Sequence, residues 1–321
     1  RGFSSVFDIG LEQRYDQYDL RIEFPKPLVP LALRKEINER INSRGEIEKA
    51  LVDQEIVTLV KELRDQHQIT SLAVCFINSY RNPVHERRVK DILSGEFPDL
   101  SVSTSADVLP AIREYERWTT TVINAYTQSI LLSYLSDFDR WLREAGFAGS
   151  LYLLVSDGGM VSVDIARQYP VRMLASGSAA SVLTSRHVSL TYNDSDLLMF
   201  DMGGTTTKLG IVSDGSAHKQ YKLEVGRAYQ NKKGSGFPVS IPAFDQTEIA
   251  SGGCSIASID QRGVLQVGPQ SMGAKPGPAC FGLGGEMPTG VDANLLLGHY
   301  GTDTFLGGEI LIDPGRAESD G

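Results

Sequence analysis

A chain of 321 residues, 41% hydrophobic and 22% charged, has the composition of a folded globular protein but is too long for one ordinary core, so two lobes are expected. Its net charge of −9, with no long stripe of lysine or arginine, argues against a nucleic-acid partner, and no apolar stretch is long enough to span a bilayer. Three cysteines, Cys75, Cys254 and Cys280, form an odd set without metal-ligand spacing, which disfavours a disulfide framework or zinc site and fits an acidic cytoplasmic enzyme.

Arg1-Gly2-Phe3 carries no initiator Met or signal peptide, and the chain stops at what reads as the start of a helix near Gly315, so a fragment is expected. From Leu51 to His67 the apolar positions Val52, Ile56, Leu59, Val60 and Leu63 fall on one helical face, with Asp53 and Glu55 favourably placed in the first turn. Ser71 to Ile77 is a continuous apolar run of the kind found in strands buried on both faces. A second helix follows Pro83, and Leu100 to Thr104 reads as a strand. The longest helix is expected from about Tyr115 to Ala145, where Ile123, Tyr126, Ile130, Tyr134, Phe138 and Trp141 recur at helical spacing as core residues and Gly146 ends the run. Arg113, Glu114, Glu116 and Arg117 read as a solvated face of that helix, and His85 and His299 as surface residues or residues just behind a site. Leu151 to Val155 and Val171 to Ala175 read as buried strands, and Ala179 to His187 as a short helix. This alternation predicts an α/β architecture.

The most informative segment follows. Leu197-Leu198-Met199 leads into Phe200-Asp201-Met202-Gly203-Gly204-Thr205-Thr206-Thr207, and Leu209-Gly210-Ile211-Val212 leads out, which predicts a hairpin tipped by Gly203-Gly204. Two glycines clear side chains from the tip so that backbone N–H groups can approach a phosphate. Asp201 can hold a metal-bound water, and the hydroxyls of Thr205 and Thr206 can donate to phosphate oxygens. This motif differs from the P-loop and from the dinucleotide fingerprint. It resembles the phosphate motif of the actin-like ATPases.

Downstream, Gly252-Gly253-Cys254-Ser255, then Val267-Gly268-Pro269-Gln270-Ser271-Met272-Gly273, Pro276-Gly277-Pro278-Ala279-Cys280 and Asp292-Ala293-Asn294 occur in the order typical of the hydantoinase A/5-oxoprolinase family. That family includes the ATP-binding subunits of acetone-type carboxylases. Asn78-Ser79-Tyr80, Arg113-Glu114-Tyr115-Glu116-Arg117, Asn124-Ala125-Tyr126 and Asp157-Gly158-Gly159 extend the resemblance over nearly the whole chain. It implies an actin-like, ribonuclease H-like ATPase fold of two lobes. Residues 1–114 would be part of the family's N-terminal region, and 115–321 the hydantoinase A/oxoprolinase region, incomplete at its C-terminal end. A first phosphate hairpin would lie upstream of Arg1, and an adenosine motif beyond Gly321.

The activity implied is ATP-dependent hydrolysis of a cyclic amide or imide, of 5-oxoproline or hydantoin type, through a phosphorylated species that water opens. A carboxylase subunit and a non-catalytic regulatory or scaffold protein are the alternatives. The resemblance implies ATP and Mg²⁺ as cofactors, a small cyclic amide as substrate and a hydantoinase B-like subunit or region as partner. Asp201 is the expected catalytic group. Gly203, Gly204, Thr205, Thr206, Lys208, Gly252, Gly253 and Ser255 would bind the cofactor, and Asp201 and Asp292 the metal. Asp292 can equally cap the helix beginning at Ala293. Lys208 stands where family members commonly carry Asp, and either contacts phosphate or pairs elsewhere. Cys280, with no His near it in sequence, reads as a packed, inert residue.

Overall fold

The computed structural model describes residues 2–12, 14–229 and 232–319. They form an α/β structure of two compact units, Arg1–Ala180 with Lys219–Phe244, and Ser181–His218 with Asp245–Gly321.

In the first unit, α1 (Asp53–His67) is followed by β1 (Ser71–Val74), α2 (Val84–Glu96), β2 (Ser101–Thr104) and α3 (Glu114–Glu144). The strands β1 and β2 pair in parallel from Ser71↔Ser101 to Val74↔Thr104, a geometry that requires the crossover supplied by α2. Ile56 and Val60 of α1, Val89 and Leu93 of α2, Val74 and Leu100 close one core. Each such side chain contributes about 1.5–3 kcal/mol when removed from water. A second core joins Ile123 of α3 to Val108, Val171, Val239 and Ile241.

Several elements differ from expectation. The strand at Ser71 stops at Val74 and is only half-buried at Ser71, Leu72 and Ala73. Residues 151–155 supply β3 (Tyr152–Leu154), which pairs antiparallel with β4 (Met160–Ser162) as a hairpin with Tyr152 and Met160 exposed and Leu153, Leu154 and Val161 half-buried, not a strand buried on both faces. Val171 to Ala175 is not a strand: Pro170–Met173 is a 3-10 turn, and the N–H groups of Val171 and Ala175 go to the side chains of Asn124 at 3.3 Å and Ser156 at 3.1 Å, not to a ladder. The helix α3 spans the expected length, but its aromatic stripe is not core. Trp118 to Ala125 are buried, whereas Tyr126, Ile130, Tyr134 and Trp141 are 60–66% exposed. Tyr134, Phe138 and Trp141 instead stack on one another along the helix. Helical periodicity marks a face, but which turns of that face are covered depends on strands far away in sequence.

The polar start of α3 is the reverse case, since Glu116 and Arg117 are buried. The Arg117 guanidinium donates to the carbonyls of Ala111 and Phe76, each at 2.9 Å, and lies over the Tyr80 ring. Lys222 reaches Glu116 at 3.2 Å. His85 is also buried, 2.8 Å from Glu39.

In the second unit, α4 (Ser176–Tyr192), within which the boundary between units falls, runs longer than its sequence signal. It is followed by β5 (Leu197–Met202), β6 (Thr207–Ser213) and β7 (Gln246–Ile249), which form an antiparallel sheet in the order β7-β6-β5. One sheet face receives α4: a Cβ on Gly210 would stand 3.2 Å from Val182 and 3.0 Å from Met199, so the glycine permits this approach. The other face leaves Leu198, Phe200, Met202 and Ile211 exposed. A hairpin of β8 (Ser255–Ile259) and β9 (Leu265–Ser271) and the short helix α5 (Gly290–Leu296) complete the part that bears on the site.

Glu86 yields a pH prediction for the first unit. Its carboxylate is fully buried and accepts from the N–H groups of Phe76 and Ala106 and the Ser105 hydroxyl, all at 2.7 Å. Burial raises its pKa, partly offset by those donors. A raised folded-state pKa means that the folded chain holds more protons, so this contribution is complete below the ordinary glutamate value and is lost as pH rises through the raised one. Glu86→Gln, whose amide turns donors toward donors, should cost about 1–3 kcal/mol at low pH. Urea unfolding between roughly pH 4 and 8 should show the gap between variant and parent narrowing with pH; a constant gap would refute the assignment.

Candidate functional site

The sequence between Leu197 and Val212 folds as its pattern dictates. β5 and β6 pair from Leu197↔Val212 to Met202↔Thr207, leaving Gly203 to Thr206 as the turn. Within it the Gly203 N–H donates to the Thr206 carbonyl at 2.9 Å. Gly203, Gly204 and Thr205 are exposed.

A second loop supports this tip. The Gly253 N–H donates to the Gly203 carbonyl at 2.9 Å, and the Cys254 N–H to the Gly204 carbonyl at 2.7 Å. Thr207 Oγ1 donates to the Ser251 carbonyl at 2.5 Å, and the Ser255 hydroxyl accepts from the Gly252 N–H at 2.8 Å. The carbonyls of Gly203 and Gly204 are therefore occupied, while the N–H groups of Gly204, Thr205 and Thr206 meet no protein acceptor among the described residues. What the tip presents outward is a set of donors, the arrangement of a backbone anion site.

The glycines divide into two kinds. A Cβ on Gly252 would lie 2.6 Å from the Thr205 carbonyl carbon and 2.7 Å from Gly203 O and Gly204 C, so the fold itself demands glycine there. A Cβ on Gly203 would meet only Thr206 O at 3.6 Å, and one on Gly204 only Cys254 Sγ at 3.4 Å, both ordinary contacts. Among the described residues, packing gives no reason for glycine at 203 or 204.

At the base of the hairpin, Asp201 and Lys208 are cross-strand partners, as are Lys208 and Glu248, so the three side chains share one sheet face. Lys208 forms no ion pair with either, among the described residues. Asp201 Oδ2 accepts from the Ser181 hydroxyl of α4 at 2.7 Å. Its Oδ1 has no protein donor among the described residues. Ser181, Ser251 and Glu248 are absent from the sequence-derived site; each arrives through α4, the second loop or β7, whose approach to the hairpin is set by tertiary structure.

Asp292 is 2% exposed and faces inward. Its Oδ1 accepts from the Cys280 N–H at 2.9 Å, and its Oδ2 from the Thr289 N–H at 2.9 Å and hydroxyl at 2.7 Å, forming a capping box for α5. Of its two sequence readings the structure displays the capping role, with Asp292 as the third-position acid of a box whose N-cap is Thr289; Oδ2 serves that box and Oδ1 serves the Cys280 N–H. Cys280 is fully buried, and its thiol is pushed up to about 12 by burial and then by Asp292. It packs with Cys254, Val291, Leu295, Ile312 and Ala317, as an inert residue does. Thus Asp201, Gly203 to Thr206, Lys208, Gly252, Gly253 and Ser255 lie together around one hairpin, with Ser255 beneath it and Asp292 in the support.

Fold and site define an α/β protein with a glycine-tipped, backbone-donor hairpin. The hydantoinase/oxoprolinase family model matches residues 117–320, and the model of that family's N-terminal region matches residues 1–97; the chain belongs to this family. It is 37% identical to an uncharacterised protein of Methanocaldococcus jannaschii over 99% of this chain and 47% of that one. The crystal structure of the ATP-dependent caprolactamase from Pseudomonas jessenii matches with a TM-score of 0.73 and 31% identity, over 98% of this chain and 45% of that one. The nucleotide-free acetone carboxylase structure shares the fold, with a TM-score of 0.80 at 24% identity over 99% of this chain and 45% of that one. The chain spans less than half the length of these relatives.

Two substitutions separate support from ligand contact. Gly252→Ala must displace backbone on the facing hairpin and should cost about 1–3 kcal/mol of stability. Gly203→Ala should stay within about 0.5 kcal/mol of the parent, as read from denaturant midpoints; equal losses would contradict the steric difference. Asp292→Ala, which strands the N–H groups of Cys280 and Thr289, should lower stability by about 1–3 kcal/mol without altering the affinity of the full-length protein for Mg²⁺. Calorimetric titration with Mg²⁺ decides, since weakened binding would return Asp292 to the metal.

Proposed function

We propose that the hairpin holds phosphate groups of ATP within an actin-like ATPase core, and that the whole protein uses ATP to hydrolyse a cyclic amide or imide of 5-oxoproline or hydantoin type. The observation carrying this reading is the outward row of N–H donors from Gly204 to Thr206 on a tip whose glycines the chain's own packing does not require. Space left free of Cβ atoms beside unpaired donors suits the close approach of a phosphate.

An unstrained lactam is a poor electrophile. In the proposed reaction its carbonyl oxygen takes the γ-phosphoryl of ATP and releases ADP; one water then adds to the carbon, the C–N bond breaks with a proton passing to nitrogen to leave an acyl phosphate, and a second water cleaves that acyl phosphate to the carboxylate and phosphate. The contribution of this chain is to bind and orient. The tip N–H groups and the hydroxyls of Thr205 and Thr206 hold the phosphate oxygens, Lys208 adds positive charge on the same sheet, and Asp201 faces the cation. Magnesium, which Asp201 would help to hold, would supply positive charge to offset that of the phosphates. The donor set fits that ion, which is commonly held by one or two carboxylates together with phosphates and waters. Asp201 Oδ1 meets the requirement, and no group of three potential ligands exists among the described residues. A hydantoinase B-like subunit or region is the proposed partner for ring opening.

The likeness to acetone carboxylase keeps a second reading in play, in which the same site activates a ketone and bicarbonate. ATP consumption by the full-length protein dependent on a lactam, or on a ketone with bicarbonate, separates the two. Turnover with neither would leave the non-catalytic role.

In the full-length protein Asp201→Asn should reduce ATP hydrolysis at least about a hundredfold with an unchanged melting temperature, since it keeps shape but removes the charge facing the cation. Retained turnover would remove Asp201 from the site. Lys208→Asp serves as the companion: a fall in ATP affinity supports a phosphate contact, and a gain in rate would assign the position to a carboxylate.

A further inference from the structure

The helix α4 does more than cover the sheet. Gly210 lets it settle against β6 through Val182, which is 2% exposed, and the preceding residue, Ser181, then meets the base of the hairpin. Its hydroxyl donates to Asp201 Oδ2 at 2.7 Å, while its own carbonyl accepts from the Ser185 hydroxyl at 3.0 Å. A carboxylate on a strand can rotate about its terminal bond, and a single short hydrogen bond to one oxygen limits that freedom. With Oδ2 engaged, Oδ1 is the oxygen left two residues from the glycine tip.

We propose that Ser181 is a positioning residue that fixes the Asp201 carboxylate, so that Oδ1 is presented to the magnesium or metal-bound water of a bound nucleotide. This rests on the phosphate reading of the hairpin. The Ser181 hydroxyl is engaged by Asp201, so on this proposal it acts through that carboxylate and its effect is expected on the metal-dependent part of binding alone.

The test uses the full-length protein and compares calorimetric affinity for ATP with Mg²⁺ and for ATP in excess chelator. Ser181→Ala should lose about tenfold of the advantage that Mg²⁺ gives, with metal-free ATP affinity and melting temperature unchanged. Ser181→Thr, which retains the hydroxyl, should keep that advantage within about twofold. A Ser181→Ala protein with the full magnesium advantage would overturn the proposal while leaving the phosphate reading intact, as would a folded Ser181→Thr protein that behaves like alanine. Failure of the parent protein to bind ATP in either condition would overturn both.

Discussion

The candidate site depends on one contact between two stretches of backbone. Gly252 lies so close under the hairpin that no Cβ fits, and this proximity lets Gly253 and Cys254 donate to the carbonyls of Gly203 and Gly204. The consequence is electrostatic as well as mechanical. A free turn exposes acceptors and donors together; this one has its acceptors filled from below, so the donors that remain give the tip a positive local potential. The Val291 N–H donates to the Gly253 carbonyl at 2.7 Å, which ties the supporting loop in turn to α5 and to the capping box built by Thr289 and Asp292. Asp292 therefore belongs to the support beneath the loop that fills those carbonyls.

The first unit is specified in a different way, by buried polar groups with particular partners. Glu86 gathers donors from the end of β1, from Ser105 and from Ala106, and so pins α2 to both strands' C-terminal ends. Arg117 spans from Ala111 to Phe76 and fixes the start of α3 at the same end of the sheet. Each group is costly to bury alone and economical only when all its bonds form together, which favours one arrangement of these elements over near alternatives.

That difference explains what the sequence could and could not convey. The hairpin was legible because everything that makes it is local: apolar entry and exit strands, a glycine pair, an acid just before the tip. The helices α1 and α2 were equally legible, the first from Ile56 and Val60 at helical spacing on a face that is buried, the second from Pro83 at its start. Arg117 and Glu116 were misread as a solvated face because their partners, Phe76, Ala111 and Lys222, are set by tertiary structure. The aromatic turns of α3 failed in the opposite direction, apolar in sequence and exposed in the fold. Gly252 was legible as a site residue but not in its role, for a glycine required by the backbone of a facing turn looks the same in sequence as one that opens space for a ligand. Apart from the helix expected near Ala293, the glycine-rich stretch after Ile211 gives no periodic signal, yet it supplies β7, β8 and β9, short elements held by turns more than by amphipathic faces.

The charge layout of the second unit separates two tasks along one hairpin. The tip carries donors and no formal charge, whereas the base carries Asp201, Lys208 and Glu248 in a cross-strand row, one cation between two carboxylates. A bare polyanion would gain from the tip and lose from the carboxylates below it; a bare cation would do the reverse. A nucleotide phosphate chain bearing a divalent cation gains from both ends, with its oxygens toward the N–H groups and its metal toward Asp201. Replacing an acid at position 208 with lysine shifts that balance, because it lowers the negative charge beside Asp201 and adds an attraction for phosphate on the same sheet face. On the proposed reading, discrimination between metal-bound and metal-free nucleotide then falls largely on Asp201, the one acid of the row whose oxygen is held by a neighbouring helix.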